Sequence, residues 1–145
     1  MDTTGVGKRI VNGELPVVVS PGVLPTKHIV TAVDGATSLF LGKQCLHPGE
    51  RVRCHTHRGE EVMSVISGQD AGMIVGDPVS LTAGTTLSIP AEAAHNFWCA
   101  GACPRQIMMI FSEPESAETA MLSEETGESI VKEQSRVAGT SRRPR

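Results

Sequence analysis

The amino-acid sequence predicts an all-β domain, built as an antiparallel β-sandwich or closed barrel. Short runs rich in Val, Ile and Leu alternate apolar with polar residues, as half-buried strands do. Gly, Pro and Asp-Gly pairs separate these runs and mark turns. No helical segment lies between the runs, whereas a parallel sheet would need crossovers of about a dozen residues or more. The 145 residues are enough for one domain.

The predicted strands follow from this alternation and from the turn residues that end each run. Asp34-Gly35 and Pro48-Gly49, for example, close two of them. The strands are expected at residues 17–20, 27–33, 38–46, 51–57, 61–67, 72–75, 85–90, 95–99 and 105–111.

The C-terminal part of the chain differs in kind from the strand-rich part. Ser112 and Glu115 have the spacing of a capping box, with Pro114 in the first turn, which predicts a helix start. Residues 124–136 tolerate a helix, and the polar composition after Val137 predicts disorder. The chain is therefore divided into an N-terminal arm at 1–14, a barrel at 15–112 and a helical, partly disordered tail at 113–145.

Charge and composition limit the classes of partner, the location and the cysteine chemistry that we expect. The net charge is −3, with no basic stripe, so a nucleic-acid partner is not expected. No apolar run has the length of a membrane span, and the N-terminus lacks a signal-peptide pattern, so we expect no membrane and a cytoplasmic protein. The cysteines have no CxxC spacing and are expected as reduced thiols rather than as a Cys99–Cys103 disulfide; they are Cys45, Cys54, Cys99 and Cys103.

Three histidines and one glutamate have the spacing of a metal site. His55 and His57 are two apart on a predicted strand, so both side chains leave the same face. Glu61 follows after a short turn, and His95 begins a later strand. Strand alternation sends Glu60 to the opposite face from Glu61. Three imidazoles and one carboxylate suit Zn, Fe, Mn, Ni or Cu and leave positions open for water or substrate.

His28 is a tentative further ligand. It lies in an apolar strand on the same face as Val30 and Ala32, and a buried imidazole needs a polar partner. A metal is one candidate, in which case Glu61 would serve as a neighbouring group or general base. A core histidine bonded to backbone is the alternative. His47, about a full strand from His55, is not expected to bind the metal.

The histidine-rich segment resembles the first conserved motif of the cupin superfamily. That motif is Gly, five residues, His-x-His, three or four residues, Glu, six residues and Gly. Gly49, His55, His57, Glu61 and Gly68 match it in full.

A second cupin motif lies where the family has it, fifteen residues after the first. Its pattern is Gly, five residues, Pro-x-Gly, two residues, His, three residues and Asn. Gly84, Pro90 and His95 match, whereas Glu92 replaces the second Gly and Cys99 replaces the Asn. The resemblance implies a single-domain cupin, an antiparallel jelly-roll barrel, with the metal on His55, His57, Glu61 and His95. It also implies a homodimer.

Composition suggests the substrate class. Positions on the strands around the ligands are mostly apolar, and Met, Val, Ile and Phe suit a hydrophobic, aromatic or polyketide-like molecule better than a sugar phosphate. The candidates for the pocket wall are Met63, Met73, Phe97 and Met108.

Shorter strings resemble the small cupins of bacterial aromatic polyketide clusters, of the tetracenomycin and resistomycin cyclase type. They lie at residues 18–21, 35–42 and 46–50, and in the doubled Glu60-Glu61. The resemblance implies regioselective aldol-type cyclisation of a poly-β-ketone, with one divalent ion, first of all Zn, as Lewis acid. Glu61, a metal-bound hydroxide or an unliganded histidine would be the base. Association with a polyketide synthase or other cyclases is the expected partnership.

Two other functions fit the same residues. An Fe(II)-dependent oxygenase acting on an aromatic or diketone substrate would use the same ligand set. A cupin that binds a small molecule without turnover would keep the fold and need no metal chemistry.

Overall fold

The strands form two antiparallel sheets in a computed structural model that describes residues 7–20, 23–114, 119–121 and 133–136. Sheet I has the order β1-β2-β3-β10-β5-β8, and sheet II has the order β11-β4-β9-β6-β7. The strands are β1 (Val18–Ser20), β2 (Val23–Val30), β3 (Phe40–Leu46), β4 (Arg51–His57), β5 (Glu61–Ser67), β6 (Gln69–Ile74), β7 (Asp77–Thr82), β8 (Thr86–Ile89), β9 (His95–Cys99), β10 (Arg105–Phe111) and β11 (Thr119–Met121).

Antiparallel pairing was predicted, and it is confirmed. Each strand pair among the described residues is antiparallel, and most connections are short turns. The remaining regular structure of the described residues consists of two 3₁₀ turns, Asn12–Glu14 and Ala32–Asp34, and a helical turn at 133–136. No described helix is long and apolar enough for a membrane span.

The core lies between the two sheets, on the inward positions of alternating strands. In β3 and β10 every second residue is buried, which is the period that one covered sheet face produces. The buried apolar cluster comprises Phe40, Met63, Val65, Leu81, Ile89, Ala93, Phe97, Ile107, Met109 and Phe111.

A charged pair joins the sheets at the end of the barrel where β10 begins. Arg105 of sheet I is fully buried, at 0% exposure, and its Nε lies 3.0 Å from Oδ2 of Asp70 in sheet II. Its Nη1 also donates to Oε1 of Gln44 at 3.5 Å. Burial lowers the pKa of Arg105 and raises that of Asp70, and each partner opposes the other's shift.

Gly68 makes the tight passage from β5 to β6 possible. Its φ is +81°, and a Cβ at this position would lie 2.7 Å from the Cα of Arg105. A side chain would therefore be strained in conformation and would collide with backbone, which explains why the first motif ends in glycine.

Three strand predictions differ clearly from the structure. The strand predicted at 27–33 is β2 at Val23–Val30, because the 3₁₀ turn Ala32–Asp34 follows it. Residues 77–82, which include Pro78, lie in none of the predicted strands, yet Asp77–Thr82 forms strand β7. This strand is at the edge of sheet II, where a proline costs no ladder hydrogen bond. Strand β6 begins at Gln69, three residues before the predicted start, because it pairs with β7 over its whole length.

The C-terminal tail contributes a strand that was not predicted. Residues 119–121 form β11, which pairs with β4 along the segment from His55 to His57. Residues 112–114 are bends, and the rest of the helix expected from Ser112 lies outside the described residues. Of the second helical stretch, residues 133–136 are helical. Its remaining residues and the expected disorder after Val137 also lie outside the described residues.

Candidate metal site

Three strand ends bring the four predicted ligands together. His55 and His57 end β4, Glu61 begins β5 and His95 begins β9. β4 and β9 are neighbours, and His55 lies directly opposite His95. All four side chains are buried. A register irregularity in β4 between Val52 and His55 turns the histidine end of the strand toward the interior.

The ligand atoms converge on one point. Nε2 of His55 lies 3.0 Å from Nε2 of His57. Oε2 of Glu61 lies 3.3 Å from Nε2 of His57 and 3.1 Å from Nε2 of His95. One ligand atom from each residue falls within 4.8 Å of all the others.

Backbone carbonyls orient two of the rings. Nδ1 of His55 lies 2.6 Å from the carbonyl oxygen of Arg53, and Nδ1 of His95 lies 2.7 Å from that of Ala93. A carbonyl oxygen only accepts, so each Nδ1 carries the proton and donates. Each Nε2 therefore keeps its lone pair for the centre of the cluster. Metal-binding histidines are commonly held in this way.

The spacing of these atoms fits a transition-metal ion. Metal–ligand distances of about 2.0–2.1 Å place neighbouring ligand atoms about 3.0 Å apart at right angles and about 3.4 Å apart at tetrahedral angles. The separations of 3.0, 3.1 and 3.3 Å lie in this range. Nitrogen lone pairs this close repel each other unless a cation or proton lies between them. The residues therefore fit a divalent ion bound by three imidazoles and one carboxylate.

The electrostatics of the cluster favour the metal-binding protonation states of His55 and Glu61. Burial and the neighbouring imidazole of His95 lower the pKa of His55 to about 4, so its ring is neutral at pH 7. Burial alone raises the pKa of Glu61, but the contacts of its carboxylate with the rings of His57 and His95 outweigh burial and lower the pKa to about 2. Glu61 is thus an anion whose contacting oxygen already faces two imidazoles.

Aromatic rings surround the cluster on its inner side. Phe111 packs edge to face on His57, with centroids 4.8 Å apart, and Phe97 lies 5.7 Å from His95. Phe40 extends this wall beyond Phe111 at 5.7 Å. The ligands therefore lie against an apolar, water-excluding surface.

His28 does not join the other predicted ligands. It pairs with Gly42 across β2 and β3, and its ring packs edge-on against Phe40 at 5.1 Å. The group of converging ligand atoms contains His55, His57, Glu61 and His95 without it. The prediction of His28 as a ligand is corrected accordingly: the phenyl ring of Phe40 is its neighbour. Glu60 is exposed, as the alternation predicted.

Two of the four predicted pocket residues face the interior, and two do not. Met63 and Phe97 are buried in the core between the sheets. Met73 is 38% exposed, and Met108 lies on the opposite face of β10 from the buried Met109. The alternation along β6 and β10 was predicted, but its phase was wrong for these two residues. Met73 and Met108 therefore do not line the interior.

Sequence reasoning missed two residues beside the site. Phe111 contacts His57 because it lies opposite Glu61 in the β10–β5 register, which the sequence does not specify. Gln134 contacts the loop before His95 from forty residues away in the chain. The sequence carries no local signal for that contact.

A curated relative and two solved structures resemble this chain. Polyketide synthase CurC of Streptomyces cyaneus is 38% identical over 64 residues, which is 43% of this chain and 42% of that protein. The polyketide cyclase RemF from Streptomyces resistomycificus is 20% identical, with a TM-score of 0.69, over 85% of this chain and 92% of that one. Oxalate decarboxylase OxdC of Bacillus subtilis, in a structure from work on its Mn(II) centres, is 18% identical in sequence to this chain, with a TM-score of 0.65. That match covers 77% of this chain and 31% of the decarboxylase.

A family model matches the part of the chain that holds the metal site. The cupin domain family matches residues 42–111, from the middle of β3 to the end of β10. This range contains all four converging ligands. With the two antiparallel sheets and the likeness to solved cupin structures, we conclude that this chain has the cupin fold and that its residues 42–111 match the cupin domain family.

Proposed function

We propose that this protein is a metal-dependent cyclase that closes rings in a poly-β-ketone chain by aldol-type condensation. The observation that carries the proposal is the buried convergence of His55, His57, Glu61 and His95. CurC is a polyketide synthase and RemF a polyketide cyclase by name, and both resemble this chain. These two likenesses support the substrate class.

In this proposal the protein's own residues hold the ion and enclose the substrate. The three imidazoles and Glu61 hold one divalent ion, with Zn first and Fe, Mn or Ni as alternatives. A bound ion supplies Lewis-acid polarisation of a ketone oxygen, which acidifies the neighbouring CH₂. The apolar wall of Phe97 and Phe111 excludes water and folds the reactive chain so that one carbon meets one carbonyl.

The proposed reaction needs no external oxidant. A base, for which we propose Glu61, takes one proton from the CH₂, and one C–C bond forms between this carbon and a ketone carbon. The ketone oxygen receives that proton, and it leaves with a second proton from the same carbon as one water molecule when the ring becomes aromatic. Because no electrons are exchanged with another reagent, a redox-inactive ion suffices. Association with the synthase that makes the poly-β-ketone belongs to the same proposal, since such chains cyclise spontaneously when they are released unprotected.

Removing His57 tests the metal dependence. We expect wild-type protein to hold about one divalent ion per chain and His57→Ala to lose it. The variant's rate of cyclisation should fall by more than about a hundredfold, since a Lewis acid is worth several kcal/mol of transition-state stabilisation. Elemental analysis gives the metal content, and product analysis with a reconstituted polyketide synthase gives the rate. His47→Ala, at an exposed turn outside the cluster, is the matched control.

The same preparations separate the alternatives. Full activity of the zinc-loaded protein without oxygen supports the cyclase. Activity that requires iron and consumes oxygen would instead indicate an oxygenase with this ligand set. Unchanged biological function in His57→Ala would indicate a small-molecule-binding cupin without metal chemistry.

A further inference from the structure

The C-terminal turn at residues 133–136 contacts the loop that leads into His95. The carboxamide of Gln134 meets this loop at two backbone groups. Its Oε1 accepts from the Ala94 N–H at 2.9 Å, and its Nε2 donates to the Glu92 carbonyl at 2.6 Å. Because an N–H only donates and a carbonyl only accepts, this orientation of the amide is the one that satisfies both partners.

The loop is linked directly to the metal ligands. The Glu92 N–H donates to the carbonyl of His57 at 2.8 Å. The carbonyl of Ala93 accepts from the His95 ring, and that of Ala94 accepts from the Val75 N–H at 2.8 Å. A shift of residues 92–94 would therefore displace the Ala93 carbonyl, which orients the His95 ring.

Gln134 also provides the hydrogen-bond partner of a buried backbone N–H group. Ala94 is 1% exposed, and its N–H points to Oε1 of Gln134. A buried N–H without a partner costs about 1–3 kcal/mol. The bond between Gln134 and Ala94 is therefore part of what fixes the loop.

The turn contacts the barrel where the backbone is strained. Among the described residues, Val75 and Glu92 are the non-glycine residues with positive φ, at 50° and 64°. The Glu92 carbonyl accepts from Gln134, and the Val75 carbonyl accepts from the Ser135 hydroxyl at 2.7 Å. Such conformations persist only where surrounding contacts hold them. Strand β11 pairs with the His55–His57 segment, so a second part of the tail also contacts ligand-bearing backbone.

We propose that Gln134 is a positioning residue for His95: its carboxamide holds the 92–94 loop, and metal retention therefore depends on the C-terminal turn. This inference rests on the metal-binding part of the proposed function. It assigns a role to a residue that lies outside the matched cupin domain.

Three full-length variants test the inference. Gln134→Ala removes both hydrogen bonds. Gln134→Glu keeps an acceptor for Ala94 but cannot donate to the Glu92 carbonyl. Arg136→Ala is the matched control on the same turn, because Arg136 contacts Glu133 there at 3.1 Å in an exposed ion pair.

Zinc affinity is measured by competition with a chromogenic chelator, and the visible spectrum of the cobalt-loaded protein reports the ligand geometry. We expect Gln134→Ala to bind zinc about tenfold more weakly, as is typical when a group that orients a ligand is lost. Gln134→Glu should lie between it and the wild type. The cobalt bands should shift in both, and Arg136→Ala should match the wild type.

The outcomes separate this inference from the proposed function. Wild-type protein that takes up no zinc overturns both. Wild-type protein that binds zinc, with Gln134 variants within twofold of it and with an unchanged cobalt spectrum, overturns the inference alone. If Gln134→Ala does not fold, Gln134→Glu decides, because it keeps the size of the side chain and one hydrogen bond.

Discussion

At the scale of single residues, Glu92 occupies a backbone conformation that suits glycine better than glutamate. Its φ of 64° lies in the left-handed region, which costs residues with a Cβ about 1–2 kcal/mol. This is the position at which the second cupin motif has glycine. The side chain is exposed, and the hydrogen bonds of the residue are made by its backbone N–H and carbonyl.

Replacing Glu92 tests this strain. Glu92→Gly should be at least as stable as the wild type, with a gain of up to about 1 kcal/mol, because the relieved strain exceeds the added chain entropy. Glu92→Val should lose about 1–2 kcal/mol, since a β-branched residue tolerates positive φ poorly. Urea unfolding measures both.

Glu60 provides the control for the Glu92 series. It is also exposed but has no positive φ. Glu60→Gly should therefore lose stability where Glu92→Gly does not. Equal losses at the two positions would contradict the account of strain.

The sequence could predict the candidate ligands from two sources: strand spacing places His55 and His57 on one face, and the match to the cupin motifs adds Glu61 and His95. Residues two apart on a strand share a face, so His55 and His57 had to converge wherever the strand lay. His28 and Met108 also lie on strands with a regular alternation, but which face is inward depends on pairing register. That register is set by contacts between distant strands, such as Phe111 with Glu61. One sequence does not contain this information in readable form.

At the scale of the elements, the strands that carry ligands are the ones that the sequence predicts best. The predicted ranges 51–57, 61–67, 95–99 and 105–111 coincide with β4, β5, β9 and β10. Turn residues bound these strands at both ends. The sequence does not predict β7 because Pro78 is a residue that commonly marks a turn. It does not predict β11 because the pairing partner, β4, lies more than sixty residues away in the chain.

The buried pair between β10 and β6 provides a test of how these elements are joined. Asp70→Asn leaves the Arg105 charge without its anion, at a site of 0% exposure for both side chains. We expect a loss of about 3–5 kcal/mol in the free energy of unfolding. The double variant Asp70→Leu with Arg105→Met should recover most of that loss, because apolar residues of similar size commonly replace a buried pair at little cost.

The exposed Glu133–Arg136 pair is the control for the buried one. Arg136→Ala should change the stability by less than about 1 kcal/mol. Urea denaturation of all variants gives the comparison. A cost of less than about 1 kcal/mol for Asp70→Asn would show that the buried charge is not left uncompensated.

At the scale of the whole molecule, the metal site connects the two layers of the sandwich. His55, His57 and His95 belong to sheet II, and Glu61 belongs to sheet I. The Arg105–Asp70 pair joins the same layers at another place. A homodimer and a cytoplasmic location remain predictions from the sequence.

Zinc should therefore stabilise the entire fold. At a free concentration one hundred times the dissociation constant, binding adds about 2.7 kcal/mol. For a domain of this length that corresponds to a rise of about 5–10 °C in Tm. Calorimetry with and without zinc measures the shift, and His57→Ala should show almost none. A wild-type Tm that does not depend on zinc would contradict a site shared by the two layers.

The division of the ligands between the layers also bears on how a newly made chain matures. The short connection at residues 58–60 between β4 and β5 can bring three ligands together early, but His95 arrives only after the segment of more than thirty residues between Glu61 and β9 has folded back. The site can then bind the ion with all four ligands only late in folding, after sheet I and sheet II have packed against each other. When the ion is bound, the two sheets can separate only if the ion is released. Bound metal should therefore lower the rate of unfolding as well as raise the free energy of unfolding.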